Sequence, residues 1–119
     1  MEVEAEAFYC GLLGLVVLAK PPSHARRGGR WFERPGGRLQ LHVGVEKDFR
    51  PARKAHPALL VDDFDGLVAD LAHAGIAVRH DDEIPGSRRC YLDDPFGNRI
   101  ELIELTPSET GEGDLPRAL

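Results

Sequence analysis

One short pattern occurs twice in this chain. Arg34-Pro35-Gly36-Gly37-Arg38-Leu39-Gln40-Leu41 and Asp94-Pro95-Phe96-Gly97-Asn98-Arg99-Ile100-Glu101-Leu102 each read as a Pro/Gly turn that feeds a strand, and they differ by one residue in the turn. A repeated turn-and-strand unit predicts two half-size modules that share one core, because neither half can bury its apolar face alone. If the halves fold alike, Gln40 and Glu101 take equivalent places and face each other across that core. Two facing polar side chains inside an apolar sheet mark a site.

The spacing of apolar residues fills in each half. Ala5, Phe8, Tyr9, Leu12 and Leu13 recur at helical spacing, and Gly14 is placed to end that helix in a left-handed cap. A strand over 15–19 should follow. After it come a loop with Pro21, Pro22 and a basic Gly-rich stretch, a strand over 30–33 carrying Trp31 and Phe32, and a strand over 39–45.

The second half begins one element earlier. Residues 56–61 read as extended, since Pro57 keeps His56 out of the helical region. Asp62 or Asp63 can cap a helix whose Phe64, Leu67, Val68 and Leu71 form one stripe, with Gly75 at its end. Strands over 76–80, 88–93 and 99–105 complete it. The first half therefore lacks an opening strand, which leaves an unpaired sheet edge and an open core. The tail over 106–119, with Pro107, Gly111, Gly113 and Pro116, is too poor a strand to fill the gap. A second copy in a homodimer, or a segment upstream of Met1, is expected to cover the edge.

With 119 residues the chain fits a single domain over 1–105, with half-modules 1–46 and 55–105 and a C-terminal tail over 106–119. An apolar share of 42% and a charged share of 29% are those of a soluble globular protein. A net charge of −5 argues against a nucleic-acid partner, because phosphate binding needs clustered Lys and Arg, and Arg50, Arg53 and Lys54 make only a short run that reads as a solvated loop in preference to a gate for an anionic substrate. Cys10 and Cys90 are too few for a disulfide framework and lack CxxC spacing, so both read as packing residues in a reducing cytoplasm. The longest apolar run, over 12–19, is too short to span a bilayer, and the acidic start has no basic signal-peptide region.

The run from Tyr91 to Leu102, Phe8-Tyr9 ahead of Leu12-Leu13-Gly14-Leu15, and His56 ahead of an apolar strand together resemble the vicinal oxygen chelate superfamily. That superfamily contains glyoxalase I, bleomycin-resistance proteins, extradiol dioxygenases and fosfomycin-modifying transferases. The resemblance covers residues 5–104. It implies an α+β fold of paired βαβββ modules curled around a cavity that holds a divalent metal. It also implies His56 and Glu101 as metal ligands and Gln40 as a third, the fourth belonging to the opening strand that this sequence lacks. Imidazole and carboxylate ligands suit Zn, Mn, Fe or Ni, and a metal with open positions can bind two neighbouring substrate oxygens or stabilise an enolate. Glu101, if not bound to metal, could act as a catalytic base.

Strand alternation puts Glu101, Ile103 and Leu105 on one face and Ile100, Leu102 and Glu104 on the other. The family pattern turns the Glu101 face to the cavity and Leu102 to the helix. Gln40 and His42 share a face, so both can point inward, as further ligands or as a hydrogen-bonding lining. Arg89 and Tyr91 precede the second turn on the strand beside Glu101 and could grip an anionic or phenolic substrate. Trp31 and Glu33 are their counterparts in the first half, and Phe49 lies in the loop between the halves. His24, His73 and His80 receive no role, and His80-Asp81-Asp82-Glu83 reads as a solvated acidic turn.

Two functions follow. One is a metal-dependent enzyme of glyoxalase or dioxygenase type acting on a small oxygen-rich or thiol-conjugated substrate. In it Glu101 and His56 hold the metal, Gln40 or His42 adds a ligand or hydrogen bond, and Arg89, Tyr91 and Trp31 contact the substrate. The other is a metal-free protein that sequesters an antibiotic or metabolite in the same cavity.

Overall fold

Turn chemistry sets the frame. In the computed structural model, which describes residues 1–106 and 113–115, the Asp94 carboxylate accepts hydrogen bonds from the backbone N–H of Phe96 (2.9 Å) and Asn98 (2.8 Å) and from the Asn98 side chain (2.9 Å). Gly97 completes the turn at φ 89°, a conformation that suits glycine. The first-half turn is closed by Arg34 N–H to the Leu39 carbonyl (3.2 Å), against Asp94 N–H to the Asn98 carbonyl (2.8 Å) in the second. The first turn is therefore one residue longer, whereas setting Gln40 on Glu101 by sequence makes it one residue shorter.

The turns join antiparallel strands in both halves. β1 (Val16–Leu18), β2 (Arg30–Glu33) and β3 (Gln40–Val43) form a three-stranded sheet in that order. β4 (Ala58–Val61), β5 (Arg79–Asp81), β6 (Arg89–Asp93) and β7 (Arg99–Glu104) form a second sheet in the order β4-β7-β6-β5, with β4 parallel to β7 and the other pairs antiparallel. The fold is α+β with paired modules, and the first lacks its opening strand. Among the described residues β3 has a strand neighbour on one side only, whereas its counterpart β7 lies between β4 and β6.

Helix α1 (Glu2–Glu6) runs on into a wider π-type segment, Ala7–Leu12, where a regular helix was expected from the spacing. The Leu13 N–H bonds the carbonyl of Phe8, five residues back, and Gly14 ends the segment at φ 80°. Phe8 and Tyr9 are both buried as a result. Residues 22–25, read as loop, form a short helix, α2 (Pro22–Ala25), started by Pro22 in its first turn.

α3 (Phe64–His73) follows the predicted rules closely. The Asp63 side chain caps it through the Gly66 N–H at 3.1 Å, and Gly75 at φ 78° ends it, with Ile76 N–H reaching back to the Leu71 carbonyl at 2.9 Å. Arg88 bonds both carboxylate oxygens of Asp65 on this helix and also Glu104 on β7, while lying over the Phe64 ring. That clasp holds the helix against the outer face of the sheet.

One apolar cluster joins the halves: Phe8, Tyr9, Leu13, Leu15 and Phe32 from the first pack with Leu59, Val61, Leu67, Leu71, Leu92, Ile100 and Leu102 from the second. The described part of the tail pairs with β4 of the second sheet and not with the open edge of β3. The Leu60 carbonyl accepts from Asp114 N–H (2.7 Å) and Leu115 N–H (3.1 Å), and the Asp114 carboxylate accepts from Leu60 N–H (2.8 Å). Leu115 bridges to Val61 in parallel and is fully buried. Residues 113–115 thus cover the free edge of β4, because one carboxylate and one apolar side chain supply what the local β-propensity does not. The expectation for the rest of the tail lies outside the described residues.

Candidate functional site

The parallel pairing of β4 with β7 builds the site. Glu101 N–H bonds the Pro57 carbonyl at 3.0 Å, which fixes the residue before that proline, His56, beside the Glu101 side chain. Glu101 is a carboxylate only 5% exposed, and its charge is met on both sides. His56 Nε2 lies 2.9 Å from Oε1, and Arg89 Nη1 bonds Oε2 at 2.5 Å. The two groups divide the carboxylate between them in charge-assisted bonds.

Each partner is held in turn. Arg89 donates from Nη2 and Nε to Ser87 Oγ, at 3.1 and 3.3 Å. His56 Nδ1 donates to the Lys54 carbonyl at 2.6 Å. Both imidazole nitrogens therefore face acceptors, an arrangement that only the protonated ring satisfies in full. The ring is accordingly held above its ordinary pKa, chiefly by the bond to Glu101 and then by the Lys54 carbonyl.

Tyr91, opposite Glu101 in the β6/β7 register, meets the His56 ring edge-to-face at 5.5 Å and has the Arg99 guanidinium 5.8 Å from its ring centre. Desolvation, then the Glu101 charge, raises its phenol above the usual value. Cys90, on the opposite face of β6, is fully buried and its thiol is pushed up to about 11, first by burial, which fits packing rather than nucleophilic use.

Of the residues expected at the site, His56, Glu101, Arg89 and Tyr91 are brought together. Trp31, Gln40 and His42 form a second group on the first sheet. The Trp31 and His42 rings stack with centroids 3.8 Å apart, and His42 Nε2 lies 3.3 Å from Gln40 Oε1. Gln40 is exposed and bonds this histidine. Ser87, Arg99 and the Lys54 carbonyl were not anticipated. The strand alternation that selected Glu101 carries Arg99 on the same face and could have found it.

As it stands, this donor set does not fit a divalent metal. His56 and Glu101 supply two ligands, but the guanidinium on Glu101 Oε2 repels a second cation, and among the described residues no group of three or more His, Cys, Asp or Glu converges to hold an ion. No helix among those residues is long and apolar enough to cross a membrane.

The comparisons agree with the fold. A glyoxalase family protein from Bacillus anthracis superposes with a TM-score of 0.82 at 43% identity, over 88% of this chain and 84% of that one. An antibiotic-binding protein from Streptomyces sp. CB03234 gives 0.66 at 29% identity over 87% and 86%, and a lactoylglutathione lyase from Agrobacterium tumefaciens gives 0.65 at 25% over 87% and 84%. No curated protein matches significantly. The sequence model of one family matches residues 4–102, nearly all of the two halves, and the chain belongs to the Glyoxalase/Bleomycin resistance protein/Dioxygenase superfamily.

Proposed function

We propose that this chain binds a small anionic molecule at the cluster of His56, Arg89, Tyr91, Arg99 and Glu101, and sequesters it without a resident metal. The division of the Glu101 carboxylate between His56 and Arg89 carries this reading. A metal would have to displace a guanidinium and an imidazolium from a carboxylate whose charge is already matched. The cluster also keeps positive charge in hand. Arg89, Arg99 and protonated His56 stand against Glu101 and the Asp81 charge that reaches Tyr91, so an anion is favoured.

The antibiotic-binding relative from Streptomyces, 29% identical, supports the same class. The reading includes a cytoplasmic protein with both cysteines reduced, and a homodimer in which a second copy lies along the open edge of β3.

A second reading, a metal-dependent enzyme of glyoxalase or dioxygenase type, is favoured by one observation. The bond from His56 Nδ1 to the Lys54 carbonyl aims Nε2 at Glu101, as an outer-shell bond does for a ligating histidine. It needs a third ligand, from Gln40 or from outside this chain.

Elemental mass spectrometry on purified protein separates the two, with His56→Ala and Glu101→Gln as controls. Metal below one-tenth of stoichiometry after incubation with Zn, Mn, Fe and Ni supports sequestration and leads to a screen of organic anions. Near-stoichiometric metal lost in both variants overturns it in favour of the enzyme.

A further inference from the structure

The halves share a backbone register but not a chemistry. β2 and β3 pair Glu33 with Gln40 and Trp31 with His42, while β6 and β7 pair Tyr91 with Glu101 and Arg89 with Ile103. Setting the two Pro/Gly turns on each other places Trp31 on Tyr91, His42 on Glu101 and Gln40 on Arg99. Where the second half gathers charge, the first gathers aromatic rings.

Those rings are ordered. Trp31 and His42 lie parallel, 2° apart in plane, and the His24 ring adjoins Trp31 at 5.4 Å. His42 is nevertheless exposed, and among the described residues no further ring stacks on it. The bond to Gln40 and the face of Trp31 hold its plane, so little ordering cost remains for a third ring. His42 also lines an open cavity of about 380 Å³ whose other walls include Phe49, Pro57 and Arg99. Pro57 adjoins His56, and Arg99 lies over Tyr91, so this cavity leads from the aromatic pair to the charged cluster.

We propose that the cavity takes a planar aromatic anion, its ring stacked on the Trp31–His42 pair and its acid group directed to Arg99. The inference rests on the anion-binding reading above and names the ligand class within it.

Isothermal titration with naphthoate and with decahydronaphthoate tests the idea, since the two share a carboxylate and a carbon frame and differ in planarity. Naphthoate should bind about tenfold more tightly. His42→Ala should weaken naphthoate binding more than decahydronaphthoate binding and so remove that preference, and Arg99→Gln should weaken both. Trp31 is the chain's one tryptophan, so naphthoate should also shift its indole N–H proton resonance in the unaltered protein, a readout that needs no variant to fold. Equal affinity for the two acids, an unaffected His42→Ala, or an unshifted indole resonance at saturation would overturn the aromatic platform and leave the anion-binding reading standing. Failure of both acids to bind overturns the platform too, whereas the metal content decides the broader reading.

Discussion

The Tyr9 hydroxyl donates a 2.7 Å hydrogen bond to the Asp94 carboxylate, joining residues 85 apart in sequence. The helix that opens the first half is thereby tied to the turn that launches β7 and its Glu101. Desolvation and this bond raise the Tyr9 phenol far above its usual range, so it stays a donor at any ordinary pH. The site carboxylate is aimed by a turn anchored in the other half of the molecule.

Asp94→Ala should therefore cost more than loss of a surface turn. It leaves the N–H groups of Phe96 and Asn98 and the Tyr9 hydroxyl without their acceptor, and about 2–3 kcal/mol of stability should go. Tyr9→Phe, which removes one bond of the set, should cost about 1 kcal/mol. Urea unfolding midpoints measure both, and equal costs for the two variants would count against the anchoring role.

Glu101→Gln removes the charge that His56 and Arg89 share. We expect a loss of about 1–3 kcal/mol, because Arg89 is then left with an incompletely met charge in a half-buried place. The His56 titration, followed by NMR of its ring proton, should move down toward the ordinary value, and a titration left in place would break the link between the two residues.

The pH dependence has a definite sign. His56 binds its proton more tightly folded than unfolded, so its contribution is fully present below the ordinary value of 6.5 and is lost as pH rises through the elevated folded value. The stability difference between the unaltered protein and His56→Ala should be larger at about pH 6 than at about pH 9. Denaturant titrations at the two pH values check it, and a difference that grows with pH would be incompatible with the imidazolium arrangement.

Leu115→Ala should destabilise by about 2–5 kcal/mol, since the side chain is fully buried beside Val61. Thermal melts measure this. A change near zero would mean that the segment over 113–115 does not hold the edge of β4 in solution.

Much of the frame was legible in the sequence, because turns and caps are local. Asp63, Gly75 and the Asp94 turn act within a few residues of themselves, and period-two alternation put Ile100 and Leu102 in the core. The errors have a common cause. Ile76 and Val78 were read as strand, but they pack on the core just after the helix, and the ladder of β5 starts at Arg79. Leu60 captures Asp114 from 54 residues away, a contact no local propensity registers. Glu101 and His56 could be selected by pattern, yet Arg89's direct hold on Glu101 depends on how β6 and β7 align, and the equivalence of Gln40 with Glu101 depends on turn length, which in the first half sets His42 in that place.

A frame present twice in one chain offers each position two occupants. Trp31 and Tyr91 hold matching places in the two hairpins, yet the first lies flat on a histidine of its own sheet and the second meets His56 edge-on. Duplication thus separates inheritance of shape from inheritance of reactivity: one copy is free to drift toward a new ligand while its twin keeps the old contacts. Related proteins that share this architecture can in that way diverge in what they hold by altering one half at a time.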